Sequence, residues 1–167
     1  PDGKKLLVIN NGVYGDRISQ MADAHNIPYE ELRFEWTLPP DLDQIEAALE
    51  RDPSIAAVAA VHHETTTGLI NPVGEIGNIV RRRDRRFLLD AVSSLGGEDL
   101  DFERDHVDLC ACTANKCIQG LPGVSFVVGK KEVLRSMGGY SRRSLYLNLP
   151  LHLHYQTRFA LSNFLPH

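Results

Sequence analysis

The amino-acid sequence predicts an α/β domain built on a mostly parallel sheet with helices on both faces. Short apolar runs bounded by turn residues alternate along the chain with stretches whose apolar residues recur at helical spacing. One run, residues 55–61, is apolar throughout, which is typical of a strand covered on both faces. The chain has 167 residues, 43% of them apolar, so it can bury one core of ordinary size.

Six strands are predicted from the apolar runs. The first run, Lys5 to Ile9, is followed by the turn residues Asn10-Asn11-Gly12. The predicted strands cover residues 5–9, 32–36, 55–61, 87–89, 107–112 and 124–128. Because helical stretches separate most of these runs, neighbouring strands are expected to be parallel.

Three helices are predicted between the strands. The first covers residues 16–25, and the second begins at Asp41, a residue type that caps helix N-termini well. The third begins at Pro72, after a loop at residues 63–71. Towards the end of the chain the periodicity weakens, and residues 145–166 are expected to form a connection rather than a finished domain.

The charge of the chain argues against a general binder of polyanions or membranes. Lys and Arg number 18 and Asp and Glu 22, so the formal net charge is -4 and no attraction to nucleic acid or anionic lipid is implied. We interpret the basic run 81–86, which Asp84 interrupts, as a solvated helix end. No stretch approaches the roughly 18 apolar residues of a spanning helix, and no signal peptide is expected at residues 1–6, because no apolar region with a cleavage site follows them. A first residue other than Met suggests that the sequence begins inside a longer chain.

Three cysteines, Cys110, Cys112 and Cys117, lie close together around a short apolar run. An odd number without framework spacing does not indicate a disulfide scaffold, so a reducing, cytoplasmic compartment is expected. No second pair of ligands stands at zinc-finger spacing, so no metal site is predicted. We expect these thiols to be buried and to pack as small hydrophobic groups.

Four polar segments follow apolar runs and are the places to look for chemistry. In open α/β sheets, ligands bind beyond the carboxyl ends of the strands, where such segments meet. The four are Asn11-Gly12-Val13-Tyr14-Gly15, His63-Glu64-Thr65-Thr66-Thr67-Gly68, Asp90-Ala91-Val92-Ser93-Ser94 and Thr113-Ala114-Asn115-Lys116.

Two charged residues in these segments each admit two interpretations. Asp90 closes an apolar strand, where a carboxylate is costly without a partner; it either faces a cationic group or caps the following turn. Lys116 follows the strand 107–112 and is either solvated or partly desolvated, as Schiff-base chemistry requires. Neither Asp90 nor Lys116 alone shows which of its two interpretations is correct.

Three of the segments match a family pattern when they are taken together. They are His63 to Gly68, then Asp90 to Ser94 with Gly96-Gly97, then Ala114-Asn115-Lys116-Cys117-Ile118-Gln119-Gly120 with Pro122-Gly123. With them the sequence resembles the class V aminotransferases of fold type I over about residues 8 to 130. The resemblance implies that residues 1–140 are part of the cofactor-binding large domain, without its N-terminal part, and that 141–167 connect to a C-terminal region.

The resemblance also implies pyridoxal 5′-phosphate as the cofactor. Lys116 is then the Schiff-base lysine and the catalytic residue, and Asp90 is the partner of the cofactor ring nitrogen. Thr65 falls where the family places a hydroxyl near the phenolic oxygen. Tyr14 matches the aromatic that stacks on the ring, although packing in the core is its alternative role. Val92 would contact the opposite face of the ring.

Three further residues take weaker roles from the same resemblance. Asn115 and Thr113 are expected near the cofactor phosphate. His63 stands where relatives commonly have cysteine after the first histidine, and it either lines the site or is a satisfied structural histidine, while no role is assigned to His62. The family's phosphate loop and substrate-binding arginine are expected outside this sequence.

Within the family, the three threonines and Asn115-Lys116-Cys117 favour amino transfer from 2-aminoethylphosphonate to pyruvate, with phosphonoacetaldehyde and alanine as products. The small-molecule partners are then an amine and a keto acid, and the intact protein is expected to be a homodimer. Two alternatives stay open. One is alanine:glyoxylate or serine:pyruvate transfer, and the other is a catalytically incomplete fragment.

Overall fold

A computed structural model describes residues 3–137 and 144–160, with side chains described as far as Tyr155. The chain divides into two compact units, Pro1–Val128 and Gly129–His167. The first unit holds all four of the polar segments singled out above.

Strands and helices alternate through the described residues. The strands are β1 (Lys5–Asn10), β2 (Tyr29–Arg33), β3 (Ile55–Val61), β4 (His63–Glu64), β5 (Leu69–Ile70), β6 (Arg86–Asp90), β7 (Leu109–Thr113) and β8 (Ser125–Gly129). The helices are α1 (Val13–Ala24), α2 (Leu42–Arg51), α3 (Val73–Arg82), α4 (Lys131–Ser136) and α5 (Leu149–Ala160).

Six of the strands form one sheet in the order β2-β1-β3-β6-β7-β8. The pairs β1–β2, β1–β3, β3–β6 and β6–β7 are all parallel, which confirms the predicted mostly parallel sheet. After β1 the chain adds β2 on one side and then returns to add β3 on the other. A crevice at such a reversal is where open α/β sheets bind ligands, so the carboxyl ends of β1 and β3 mark the site.

The two faces of the sheet bury different residues. Leu7 and Ile9 of β1 and Phe87 of β6 belong to one apolar cluster with residues of α2 and α3. Val8, which alternates with Leu7 and Ile9, is also fully buried but lies outside that cluster. Because successive side chains of a strand point to opposite faces, helices cover both faces, as predicted.

The helix ends agree with the expected local chemistry. Asp41 caps α2 through its carboxylate, which accepts hydrogen bonds from the backbone N–H of Asp43 at 2.9 Å and of Gln44 at 3.3 Å. At the C-terminal end of α3, Arg82 and Arg83 of the basic run bind acidic residues of α2. Arg83 Nη2 lies 2.8 Å from Glu46 Oε1. That run is therefore a helix end held by ion pairs rather than a merely solvated one.

Three differences from the prediction exceed the shifts of one or two residues found at the ends of the other strands. The second strand is Tyr29–Arg33, not 32–36, because it lies at the edge of the sheet and none of its five residues is fully buried. No apolar run therefore marks it. The predicted loop 63–71 contains the short antiparallel pair β4–β5. The first helix begins at Val13, three residues before the predicted Asp16, since glycine and tyrosine at its start hide the helical pattern.

The second unit contains α4 and α5, which contact each other. A twelve-residue helix, Leu149–Ala160, thus occupies most of the region that was predicted as a connection. The predicted boundary between residues 140 and 141 lies outside the described residues, as do Pro166 and His167. Among the helices described, none has the length and apolarity to cross a membrane.

Candidate functional site

The first of the polar segments forms the start of α1. Tyr14 is the second residue of that helix and is half-buried. The backbone N–H of Gly15 donates to Glu64 Oε1 at 2.8 Å, and that of Tyr14 donates to Glu64 Oε2 at 3.3 Å. Gly12, at the N-cap, offers no side chain for this purpose, and a carboxylate from β4 takes its place. The first and second segments are thereby joined.

Asp90 is the last residue of β6, between the ends of β3 and β7. Its register partners are Val61 on one side and Ala111 on the other. The carboxylate accepts one hydrogen bond, from the backbone N–H of Val92 at 2.9 Å. Burial raises the pKa of Asp90 above its ordinary value of 3.8, and the Val92 N–H offsets this only in part. A cation beside Asp90 would offset the cost of burying its charge.

An open cavity of about 510 Å³ lies between one side of α1, from Tyr14 to Ala24, and the residues at the end of β6. Its lining residues are Tyr14, Arg17, Gln20, Met21, Ala24, Asp90 and Val92. The guanidinium carbon of Arg17 lies 5.0 Å from the centroid of the Tyr14 ring, within cation–π distance. The cavity thus combines an aromatic ring, a carboxylate with a raised pKa and an aliphatic side chain.

Ser93 joins three segments that the sequence keeps apart. The hydroxyl of Thr65 donates to Ser93 Oγ at 2.8 Å. The carbonyl oxygen of Ser93 lies 3.3 Å from Nδ1 of His63 and 3.4 Å from Sγ of Cys117. The hydroxyl of Thr65 and the turn that contains Lys116 therefore converge on the turn that follows Asp90.

Lys116 lies in an exposed turn after β7. The backbone carbonyl of Lys116 accepts a hydrogen bond from the N–H of Gln119 at 2.8 Å. Thr113 Oγ1 is 2.7 Å from Asn115 Oδ1 and 3.1 Å from the carbonyl oxygen of Val124. These contacts hold the turn on the end of β7.

A glycine allows the Lys116 turn to approach the turn after Asp90. A Cβ atom on Gly97 would lie 2.7 Å from Sγ of Cys117, closer than real Cβ contacts allow. The Gly96-Gly97 pair quoted in the sequence pattern thus has a packing reason, since the backbone passes directly against the residue after Lys116.

The structure places the predicted site residues in two groups. Tyr14, Asp90 and Val92 line one cavity, and Thr65 approaches it through Ser93. Thr113, Asn115 and Lys116 form the turn after β7 and are not among the residues that line the cavity. The sequence analysis did not assign Glu64 or Ser93 to the site, although both stand within the motifs 63–68 and 90–94.

The histidines and cysteines differ in burial, although they stand close together in the sequence. His62 is buried, burial lowers its pKa, and its Nδ1 has no hydrogen-bond partner among the described residues. Cys110 and Cys112 are buried with their sulfurs 3.5 Å apart, which confirms the expected packing. The expectation is wrong for Cys117, which is exposed because it lies in the turn beyond the strand. Among the described residues, no group of three or more His, Cys, Asp or Glu is arranged to hold a metal ion.

Comparisons with known proteins identify relatives over most of the chain. The family model "Aminotransferase class-V" matches residues 3–150. A 2-aminoethylphosphonate--pyruvate transaminase of Lysinibacillus sphaericus is 44% identical over 138 residues, which are 83% of this chain and 38% of that protein. The corresponding transaminase of Vibrio cholerae is 46% identical over 145 residues, which are 87% of this chain and 39% of that protein.

Solved structures of aminotransferases match the fold. Ureidoglycine-glyoxylate aminotransferase of Bacillus subtilis has a TM-score of 0.85 and 25% identity, with 91% of this chain and 40% of that chain covered. Alanine--glyoxylate aminotransferase of a Nostoc species has a TM-score of 0.83 and 25% identity, with 99% of this chain and 43% of that chain covered. This chain therefore spans about two fifths of the length of the proteins it matches.

Proposed function

The chain belongs to the aminotransferase class-V family, and we propose that the intact protein uses pyridoxal 5′-phosphate to transfer the amino group of 2-aminoethylphosphonate to pyruvate. The observation that carries the proposal is the cavity bordered by Tyr14, Asp90 and Val92. The products are phosphonoacetaldehyde and alanine.

The residues of the cavity fit the pyridine ring of that cofactor. Asp90 has a pKa raised by burial and accepts one backbone N–H bond, so a protonated ring nitrogen would supply the charge partner that it lacks. Tyr14 presents an aromatic ring of the size that stacks on a pyridine, and Val92 supplies an apolar contact. When bound, the cofactor supplies an electron sink that stabilises a carbanion.

Each residue of the chain then has one task. Asp90 would keep the ring nitrogen protonated, and Tyr14 and Val92 would contact the ring. Lys116 would supply the amine that holds the cofactor at its aldehyde carbon, and as a free amine it could move a proton at the substrate carbon as general base and acid. The hydroxyl of Thr65, held by Ser93, would lie near the phenolic oxygen, and Thr113 and Asn115 would lie at the phosphate side.

The choice of substrate rests on the difference between two groups of relatives. Transaminases named for 2-aminoethylphosphonate and pyruvate are 41–46% identical to this chain. The two glyoxylate-dependent structural neighbours are 25% identical, although their folds match closely. Because fold alone does not determine substrate, the higher identity favours the phosphonate reaction over alanine:glyoxylate transfer.

The remaining features of the intact protein follow from the same proposal. We propose a cytoplasmic homodimer, in keeping with the three free cysteines and with the family resemblance. Residues 1–140 belong to the cofactor-binding domain, and the phosphate loop and the substrate-binding arginine lie in parts of the protein beyond this sequence.

The test measures alanine formed by the intact protein from pyruvate with 2-aminoethylphosphonate as the amino donor. Parallel reactions with alanine and glyoxylate, and with serine and pyruvate, measure the alternatives. The proposal requires the highest kcat/KM with 2-aminoethylphosphonate. A higher kcat/KM for either alternative pair would replace the substrate but keep the family.

An incomplete fragment is the second candidate, because the chain spans about two fifths of the relatives' length. Much of the affinity for a phosphorylated cofactor comes from backbone amides at the phosphate. We therefore expect the 167-residue segment to lose pyridoxal 5′-phosphate on dialysis under conditions in which the intact protein retains it. Full activity of the segment would contradict the proposal that essential groups lie outside it.

A further inference from the structure

Glu64 has an environment that its position in a threonine-rich loop does not suggest. Its side chain is completely buried, whereas most of the other large, fully buried side chains among the described residues are apolar. A carboxylate buried away from water is strongly disfavoured unless it is paired or hydrogen-bonded, so its position requires partners. The partners are the two backbone N–H groups of Tyr14 and Gly15, at the start of α1.

The N-terminus of α1 suits a carboxylate on electrostatic grounds. The first N–H groups of a helix have no acceptor within the helix, and the helix dipole places partial positive charge there. In most helices a residue of the N-cap itself satisfies those groups. In α1 the N-cap residue is Gly12, and the acceptor comes from 52 positions further along the chain, as Glu64.

Gly12 leaves room for the carboxylate of Glu64. A Cβ atom on Gly12 would lie 2.5 Å from both Cδ and Oε2 of Glu64, so a larger residue would displace the carboxylate. The φ of Gly12 is 175°, which any residue can adopt. Space for Glu64, rather than backbone conformation, therefore explains the glycine.

The backbone of Glu64 organises a second part of the site. Its carbonyl oxygen accepts hydrogen bonds from the N–H of Gly68 at 2.8 Å and of Thr67 at 3.2 Å, which closes the turn that begins with Thr65. Thr65 in turn donates to Ser93, in the segment that follows Asp90. One residue thus connects the helix that carries Tyr14 to the turn that carries Thr65.

We propose that Glu64 is a positioning residue, whose buried carboxylate holds the first turn of α1 so that Tyr14 lies over the cofactor ring. This inference rests on the proposed cofactor site and deepens it. Glu64 does not touch the cofactor; it acts through Tyr14 and through the turn at Thr65.

Glu64→Gln is the most informative variant because it keeps the volume of the side chain. The amide oxygen of glutamine can accept one of the two N–H bonds, but its NH₂ group faces the other N–H donor and cannot accept. Gly12→Ala is the second variant. It does not change the residue at position 64, but the new Cβ atom would displace the Glu64 carboxylate. Glu75→Gln is the matched control, because Glu75 is an exposed acidic residue in the first turn of α3.

The experiment makes three measurements on the intact protein. They are amide hydrogen exchange at Tyr14 and Gly15 without cofactor, the dissociation constant of pyridoxal 5′-phosphate, and the visible circular dichroism of the bound cofactor. Both site variants should exchange faster at these two amides, bind the cofactor at least about tenfold more weakly and lose part of the dichroism. The control should match the wild type in all three measurements.

Two outcomes separate failure of this inference from failure of the proposed function. If the wild type binds the cofactor and Glu64→Gln leaves exchange, affinity and dichroism unchanged, Glu64 is not a positioning residue. Lower stability in urea with unchanged affinity would also overturn the inference, because it would mark a purely structural role. If the wild type itself binds no pyridoxal 5′-phosphate, the proposed function fails first, while the exchange rates still decide whether Glu64 holds α1.

Discussion

Asp90→Asn should separate the stability of the protein from its ability to use the cofactor. The carboxylate is partly buried and accepts one hydrogen bond, from the backbone N–H of Val92. Asparagine keeps the shape and keeps an oxygen for that bond, so the turn after β6 should be preserved. What the substitution removes is the charge.

The loss of charge has opposite consequences with and without cofactor. Removing one partner of a buried ion pair costs about 3–5 kcal/mol, and partial exposure of Asp90 reduces this to roughly 2–4 kcal/mol. At about 1.4 kcal/mol per factor of ten, turnover should fall by between one and three powers of ten. The cofactor-free variant should be at least as stable as the wild type at neutral pH, since it no longer buries a charge.

The sign of the pH dependence follows from the raised pKa of Asp90. In the folded state Asp90 binds its proton more tightly than in the unfolded state, where the ordinary value is 3.8. Its contribution to stability is therefore most favourable at low pH and declines as the pH rises through the raised pKa. The asparagine variant should lack this decline.

The assay combines urea unfolding of the cofactor-free protein between about pH 4 and pH 8 with steady-state turnover of the holoenzyme. Asp99→Asn serves as the control, because the Asp99 side chain is 85% exposed. Turnover of Asp90→Asn within tenfold of the wild type would refute the role of Asp90 at the ring nitrogen. A large loss of stability without cofactor would instead show that Asp90 is needed for the fold.

Three further outcomes are expected. Borohydride reduction of the intact holoenzyme, followed by peptide mapping, should place the label on Lys116, and Lys116→Ala should abolish transamination; a label on any other lysine would contradict the assignment. Gly77→Ala should destabilise the protein by about 1–3 kcal/mol in urea, because the new Cβ would lie 2.0 Å from the carbonyl oxygen of Asp105. Gly74→Ala in the same helix, where the nearest atom is Asp105 Oδ1 at 3.1 Å, should cost less. Because burial lowers the pKa of His62, the unfolded state takes up its proton first, and the free energy of unfolding should fall as the pH drops below about 6.5; a His62→Gln variant with the same fall would show that other groups cause it.

Sequence patterns predicted the fold best where strands are buried. The run 55–61 became β3 at its predicted bounds, because burial on both faces leaves a continuous apolar segment. The edge strand β2 was misplaced by three residues, since an edge strand of the sequence Tyr-Glu-Glu-Leu-Arg contains no such segment. The short pair β4–β5 was missed because two residues are too few to show any period.

The candidate site was predictable where a residue follows a recognisable strand. Asp90 stands at the end of β6, as its place after an apolar run predicts, and the strand register brings it beside the end of β3. Glu64 and Ser93 could not be assigned in this way, because their roles depend on partners far along the chain. The buried carboxylate of Glu64 has its partners at α1, and no local pattern records that contact.

The two groups of site residues differ in how firmly the fold holds them, and the difference suits the proposed chemistry. Asp90 belongs to a strand with parallel partners on both sides, and a slip of one residue in that register would turn its side chain to the other face of the sheet. Under the proposed function, the sheet itself would therefore set the position of the ring nitrogen. Lys116 lies in an exposed turn whose side-chain positions the sheet does not fix. Under the proposed function, a lysine that holds the cofactor and also moves a proton would need that freedom, whereas the carboxylate that holds the ring nitrogen would stay in place.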